Sequence, residues 1–319
     1  MKRVDWLDRM KGILIILVVL GHAVGTASHY VTGWGNDACR FAFKFIYFFH
    51  MPAFFFLAGL LARDAAWGEV LKKKIRRLLV PYWVFGLVSI GAFLALIGLF
   101  SHAGTTDAYY ARDFASIPWW QMLGSLAYGA PLPGTDGFRC NSVLWFLPCL
   151  FTCNLLMLGL IRLNRQVVFW IVAIGCVPFF VFLQRLHCPS LPFGFSRILE
   201  FLPFAILGYG LAGRLTFASR TWLVLPVLYA AACFFVAYDW RMYTSYGAWP
   251  ATMAMGVLGT LACCVVAKMT RGGLLVKLGQ ASIGIMLIHK WVLLALVKLG
   301  LHEAILSTVL CVGISYGLT

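Results

Sequence analysis

Long apolar runs recur along almost the whole of this 319-residue chain, and short, mostly basic segments separate them. The runs lie at about 11–28, 41–62, 78–100, 143–160, 167–183, 198–213, 221–238, 248–267, 281–298 and 302–318. A hydrocarbon core roughly 30 Å thick takes about 20 helical residues to cross. With 62% of residues hydrophobic and 12% charged, such runs cannot all be the interior of a water-soluble fold. The expectation is an all-α, polytopic integral membrane protein of about ten transmembrane helices. Residues 1–319 would form a single transmembrane domain, with no room for a separate soluble one.

Net charge is +15, which on a soluble domain would suggest nucleic acid. Here the cations sit in short loops between apolar runs, so they read as an orientation signal and no nucleic-acid partner is expected. With the N-terminus inside, the inner segments hold Lys2, Arg3, Arg9, Lys11, Arg63, Lys72, Lys73, Lys74, Arg76, Arg77, Arg162, Arg165, Arg214, Arg220, Lys268, Arg271 and Lys277. The outer segments hold Arg40, Arg112, Arg139, Arg185, Arg197 and Arg241, and only Lys44, Lys290 and Lys298 fall within runs. That asymmetry predicts cytoplasmic termini and a multi-pass protein of the plasma (inner) membrane, in contact with membrane lipids. The basic start, the apolar run and Gly25-Thr26-Ala27 resemble a secretory signal peptide. Cleavage is not expected, because it would discard His22 and further runs follow at once. The ten cysteines lie mostly within apolar runs and read as small apolar filler. No metal-ligand spacing, Walker loop or dinucleotide fingerprint is present, and no internal repeat stands out.

The first run carries the most informative polar residues. Lys11 and His22 are eleven positions apart, about three helical turns, so they share one face roughly 16 Å apart along the axis. With Lys11 at a membrane surface, His22 lies near mid-membrane. An ionisable group there points to function, or else to a neutral histidine that hydrogen-bonds two helices together. In the antiparallel second run His50 reaches a similar depth, and Pro52 beside it is expected to bend the helix. His289, about 12 Å into the ninth run by helical rise, is a third candidate for one shared polar cavity or for a helix–helix hydrogen bond.

Other segments keep two readings. Lys72-Lys73-Lys74-Ile75-Arg76-Arg77 is the densest basic patch. It suits an anchor on anionic headgroups and equally a phosphate-binding rim. Arg197 and Glu200 are spaced to pair on one helix face, or to contact a sugar hydroxyl. The long stretch 101–142 is expected outside, with an amphipathic segment at Ile117–Tyr128 bearing Trp119 and Trp120, and a turn at Pro131–Gly134. Glycine-rich Gly208–Gly213 reads as close helix packing rather than a nucleotide loop.

Trp6-Leu7-Asp8 through Gly21-His22, and Phe49-His50-Met51-Pro52 through Gly59, resemble the opening of membrane-bound acyltransferase family 3, most closely its fucose 4-O-acetylase-like branch. Arg77–Tyr82, Leu144-Trp145-Phe146-Leu147, Phe201–Phe204 and Ile283–His289 are looser matches. Met286 departs from the family, which often has tyrosine there, and no appended extracytoplasmic domain is expected. The family pairs a basic residue with a histidine eleven positions on, here Lys11 and His22. The resemblance implies O-acyl transfer, usually of acetyl from acetyl-CoA, to a hydroxyl of a carbohydrate or glycolipid acceptor such as an envelope polysaccharide. Acetyl-CoA would be the donor substrate, with no bound cofactor and no metal. O-acylation needs a base and an oxyanion site. His22 would be base or transient acyl carrier and His50 its partner. Lys11, Arg76 and Arg77 would receive CoA phosphates, and Arg197, Glu200, Trp145 and His289 would contact the acceptor. A transporter or flippase for a polar metabolite or lipid-linked sugar would also need buried histidines and a basic mouth. A non-catalytic scaffold would not explain two histidines at matched depth.

Reporter fusions check the topology. A fusion at residue 319 and one near Asp107 should report opposite sides of the membrane; same-side readings contradict cytoplasmic termini.

Overall fold

The structure, a computed structural model, describes residues 4–28, 34–102, 118–130, 141–163, 166–215, 220–236 and 249–319. Most of the expected outer stretch with its Pro131–Gly134 turn lies outside the described residues, as do Lys2, Arg3, Arg112, Arg139, Arg165 and Arg241. The described secondary structure is helical. In chain order the helices are α1 (Asp5–Ala27), α2 (Trp34–Tyr47), α3 (His50–Leu60), α4 (Trp67–Lys74), a π-turn (Ile75–Leu79) and α5 (Val80–His102). Then come α6 (Trp119–Tyr128), α7 (Phe146–Leu163), α8 (Gln166–Arg185), α9 (Phe195–Gly210) and α10 (Val224–Phe235). The last four are α11 (Trp249–Met269), α12 (Gly273–Gln280), α13 (Ser282–Lys298) and α14 (Ala304–Gly317).

Every expected run carries helix. Among the described residues six stretches qualify by length and apolarity to cross a membrane: Asp5–Ala27, Gly35–Leu60, Trp67–Ala95, Phe146–Leu163, Gln166–Arg185 and Trp249–Met269. The α12–α13 pair, bent by 79°, makes a seventh if it is one span. The remaining three expected runs are the short α9, α10 and α14, of 16, 12 and 14 residues, so ten spans are not reached on this measure.

The chain divides into two compact units, residues 1–61 with 203–319, and residues 62–202. In the first, α1 packs against α2, α3, α11, α12, α13 and α14. Asp5 and Asp8 occupy its first turn, where negative charge suits the helix dipole, and a near-continuous Ile/Leu/Val stretch follows. Its tightest neighbour is α12. A β-carbon on Gly12 would stand 2.1 Å from the Leu275 carbonyl oxygen, and one on Gly279 would stand 1.8 Å from that of Asp8. The two backbones therefore touch, which only glycine permits here. Polar ties complete the anchorage: Arg9 Nε donates to the Ala267 carbonyl at 3.0 Å near the end of α11. Lys268 lies 4.8 Å over the Trp6 ring and donates to the Leu215 carbonyl. Gly59 and Gly208 make a similar backbone approach between α3 and α9; the packing reading of the glycine-rich stretch holds at Gly208, whereas a β-carbon on Gly210 or Gly213 would meet nothing within 4 Å. Pro52 sits in the first turn of α3, where its missing N–H costs little. The break between α2 and α3 falls before it, at Phe48 and Phe49.

In the second unit, Leu78, Leu79 and Phe151 form a core joined by Ile75, Trp83, Leu150, Leu155 and Phe193. The π-turn precedes Pro81, whose ring would clash with the Arg77 carbonyl in a regular helix; the wider turn relieves that clash. Arg162 closes the foot of α7: its Nε donates to Asp64 at 3.0 Å, a second nitrogen donates to the Ala65 carbonyl, and the guanidinium lies over Trp67. Helix α6 is amphipathic as expected, with Met122 and Leu126 buried and Trp119 and Trp120 exposed. Nine cysteines are described, all free, and seven are buried.

The glycine contact is testable. Gly279→Val should lower the thermal unfolding midpoint, reflecting overpacking of about 1–3 kcal/mol. Gly313→Ala, where a β-carbon meets nothing within 4 Å, should leave the midpoint unchanged.

Candidate active site

Four rings from four helices of the first unit meet around His22. Gly21 clears the space beside it: a β-carbon there would stand 2.9 Å from the Tyr47 ring. The hydroxyl of Tyr47, the last residue of α2, hydrogen-bonds with His22 Nδ1 at 3.4 Å. The same ring lies 4.7 Å from that of His50, centroid to centroid, and stacks on Phe43 at 3.7 Å. On the other side, the His289 ring is 5.3 Å from that of His22, tilted by 35°. His22 is half-buried, whereas His50 and His289 are buried. The charge of Lys290, next to His289 on α13, also reaches His22.

Two of the three imidazoles have a fixed tautomer. His50 Nδ1 lies 2.9 Å from the Ile46 carbonyl oxygen. His289 Nδ1 lies 2.7 Å from that of Met286 and 3.1 Å from that of Ile285. A carbonyl only accepts, so both Nδ1 atoms carry the hydrogen and both Nε2 atoms present a lone pair. The cluster thus offers neutral bases inside an apolar helix bundle. Thr26 donates to the His22 carbonyl at 3.0 Å, close to the end of α1. Lys11, on the same helix, is ion-paired with Asp8 at 3.0 Å.

The remaining expected site residues belong to the second unit. Of the six-residue basic patch, Lys72, Lys73, Arg76 and Arg77 are exposed, while Lys74 turns inward and donates to Asn154 Oδ1. Arg76 and Arg77 lie in the π-turn. Arg197 places its guanidinium 4.4 Å over the Trp145 ring, and that ring stacks on Phe201 at 5.9 Å. No ion-pair contact joins Arg197 to Glu200 among the described residues, although the charge of Arg197 reaches the buried Glu200. The result is a half-buried indole capped by a cation beside a buried carboxyl, a surface suited to a sugar ring. No group of three or more His, Cys, Asp or Glu is arranged to hold a metal among the described residues.

A family profile described as an acyltransferase domain matches residues 4–319. The chain belongs to acyltransferase family 3. It is 34% identical over 93 residues to the inner membrane protein YcfT of Escherichia coli K12, a stretch covering 26% of this chain and 25% of that protein. It is likewise 34% identical over 132 residues to the nodulation protein NolL of Sinorhizobium fredii, covering 37% of this chain and 33% of NolL. The matched stretches thus span a quarter to a third of these curated relatives. No solved structure matches.

For this family member the structure brings His22, His50 and His289 into one cluster and adds two residues that sequence reasoning left without a role. Tyr47 bridges His22 and His50, which make no direct ring contact among the described residues. Its one available signal was its spacing of three before His50, one turn along a helical run. Lys290 had the signal of being a lysine within an apolar run.

Replacing Tyr47 by Phe removes one hydrogen bond from His22 and keeps the ring. Acyl transfer should fall about 2- to 10-fold, the usual range for one neutral hydrogen bond, with thermal stability unchanged. An unchanged rate contradicts a role for the hydroxyl.

Proposed function

We propose that this protein is an integral-membrane O-acetyltransferase of the inner membrane with cytoplasmic termini. It moves an acetyl group from cytoplasmic acetyl-CoA to a hydroxyl of a surface carbohydrate or its lipid-linked precursor. The observation that carries the reading is the cluster of His22, Tyr47, His50 and His289 within a member of an acyltransferase family. The naming of one relative as an inner membrane protein supports the location.

The chemistry follows from neutral imidazoles. His22 takes the proton from the acceptor hydroxyl as that oxygen attacks the thioester carbonyl carbon. Negative charge gathers on the carbonyl oxygen, and Lys290, next to His289 on α13, is assigned to stabilise it. The carbon–sulfur bond breaks, the acetyl group stays on the acceptor oxygen, and His22 returns the proton to the CoA thiolate. Alternatively His22 carries the acetyl group transiently. The exposed forks of Arg76 and Arg77 are assigned to CoA phosphates. Lys11, paired with Asp8, acts as a supporting cation. Trp145, Arg197 and Glu200 are assigned to the carbohydrate.

Purified protein, acetyl-CoA and a test glycan check this. CoA release with ester formation on the glycan is expected, and a protein that moves the glycan without consuming acetyl-CoA contradicts it. His22→Ala should retain wild-type thermal stability and lose about 10²- to 10⁴-fold in rate, the usual contribution of a general base; full activity contradicts the mechanism. Label from acetyl-CoA on wild-type protein, but not on the alanine variant, would identify an acyl-histidine.

Arg76→Gln with Arg77→Gln should raise the KM for acetyl-CoA about tenfold or more, as loss of charge-assisted hydrogen bonds does. The KM for the acceptor should not change. The difference from wild type should shrink at high salt; an unchanged donor KM leaves the patch a lipid anchor only.

A further inference from the structure

His289 is fully buried, yet its Nε2 has no hydrogen-bond partner among the described residues. Its Nδ1 hydrogen is held by the carbonyls of Met286 and Ile285 on its own helix, so Nε2 is a lone pair with nothing to receive. On the far side of the residue, the Cys311 thiol donates to the His289 backbone carbonyl at 3.3 Å, which ties α13 to α14 at this turn. A buried polar atom left unpaired is unfavourable, and an apolar side chain of similar size would avoid the penalty. The fold therefore gives no reason for an imidazole at this position. A donor that is present in only part of a reaction cycle does give one.

The ring that faces His289 is His22, with centroids 5.3 Å apart. Tyr47 faces Nδ1 of His22; with Nδ1–H donating to the Tyr47 oxygen, the basic lone pair of neutral His22 is on Nε2. We propose that His289 is a positioning residue for His22: its Nε2 lone pair accepts a hydrogen bond from the His22 ring when that ring takes up the acceptor's proton. The inference rests on the reading of His22 as the group that handles that proton. Before the proton moves, neutral His22 has one N–H. After the hydroxyl oxygen has given up its proton and formed its bond to the acetyl carbon, His22 is an imidazolium with two N–H groups. One faces Tyr47, and the other has the vacant lone pair of His289 to receive it. The proton stays on His22 and passes to the CoA thiolate as the carbon–sulfur bond breaks. His289 ends the cycle unchanged. His50 shows the same tautomer, but its ring packs on Tyr47 and not on His22, so it does not duplicate this role.

The test compares His289→Leu and His289→Phe, which cannot accept a hydrogen bond, with His289→Gln, whose amide oxygen can. Each is purified in the full chain alongside His22→Ala. Loss of a hydrogen bond to a charged group predicts that kcat falls about 10- to 100-fold in the apolar variants. Their KM for acetyl-CoA should stay within about twofold of wild type, because the interaction forms only after the proton moves. Their thermal midpoint should be unchanged or higher, and His289→Gln should recover most of the lost kcat. Wild-type kcat in either apolar variant overturns the proposal, as does an equal loss in His289→Gln. A lowered thermal midpoint in both apolar variants also overturns it, since that assigns the imidazole to folding. An active His22→Ala would overturn the underlying reading of His22. An inactive His22→Ala beside a fully active His289→Leu overturns the role of His289 alone.

Discussion

The first helix touches α12 backbone to backbone at Gly12 and Gly279, and the first unit is arranged around that contact. Where the surroundings are as apolar as the side chains, hydrophobic burial does not draw helices together. Close backbone approach and a few polar ties do. Here the ties are Arg9 on the end of α11 and Lys268 between Trp6 and Leu215. With α1 fixed at this end, its register is set for the rest of its length. Three turns beyond Lys11, His22 then meets Tyr47 on one side and His289 on the other. Gly21 serves the same end locally, because any side chain there would push the Tyr47 ring away.

The choice of side chains inside the bundle follows from the cost of charge. A buried ammonium or carboxylate needs a partner, whereas a neutral imidazole can be satisfied by one carbonyl and still keep a reactive nitrogen. His50 and His289 both do this through the preceding turn of backbone. At His289 the second nitrogen stays buried without a partner among the described residues, a cost to folding, and the product is a pair of oriented lone pairs. In the second unit, the charged Arg197 is placed over an aromatic face. There the ring quadrupole offers partial compensation without removing the guanidinium from the surface.

Much of this was legible in the sequence where one element suffices. The helical character of the ten runs, the shared face of Lys11 and His22, and the packing role of Gly208 follow from period and residue size. Contacts between elements were not legible. Arg197 and Glu200 are spaced for a pair, but the indole of Trp145, from a distant part of the chain, takes the guanidinium. The six-residue basic patch reads as one exposed surface, yet Asn154 on α7 draws Lys74 inward. Pro52 was expected to bend the second run; the break falls three residues earlier, and the proline sits in the first turn of the next helix. Tyr47 carries no mark of its own among 12 tyrosines, and its role exists only because α1 and α2 meet at Gly21. Short helices such as α10 and α14 also show why a count of apolar runs exceeds a count of helices long enough to span a membrane.

An experimental structure with a non-transferable acetyl-CoA analogue tests the central claim, that acyl transfer takes place at His22, most directly. The acyl carbon should lie beside the His22 ring, with room for an acceptor oxygen about 3–3.5 Å from that carbon. Density that places the acyl carbon out of reach of His22, with the protein in an active preparation, would contradict the account.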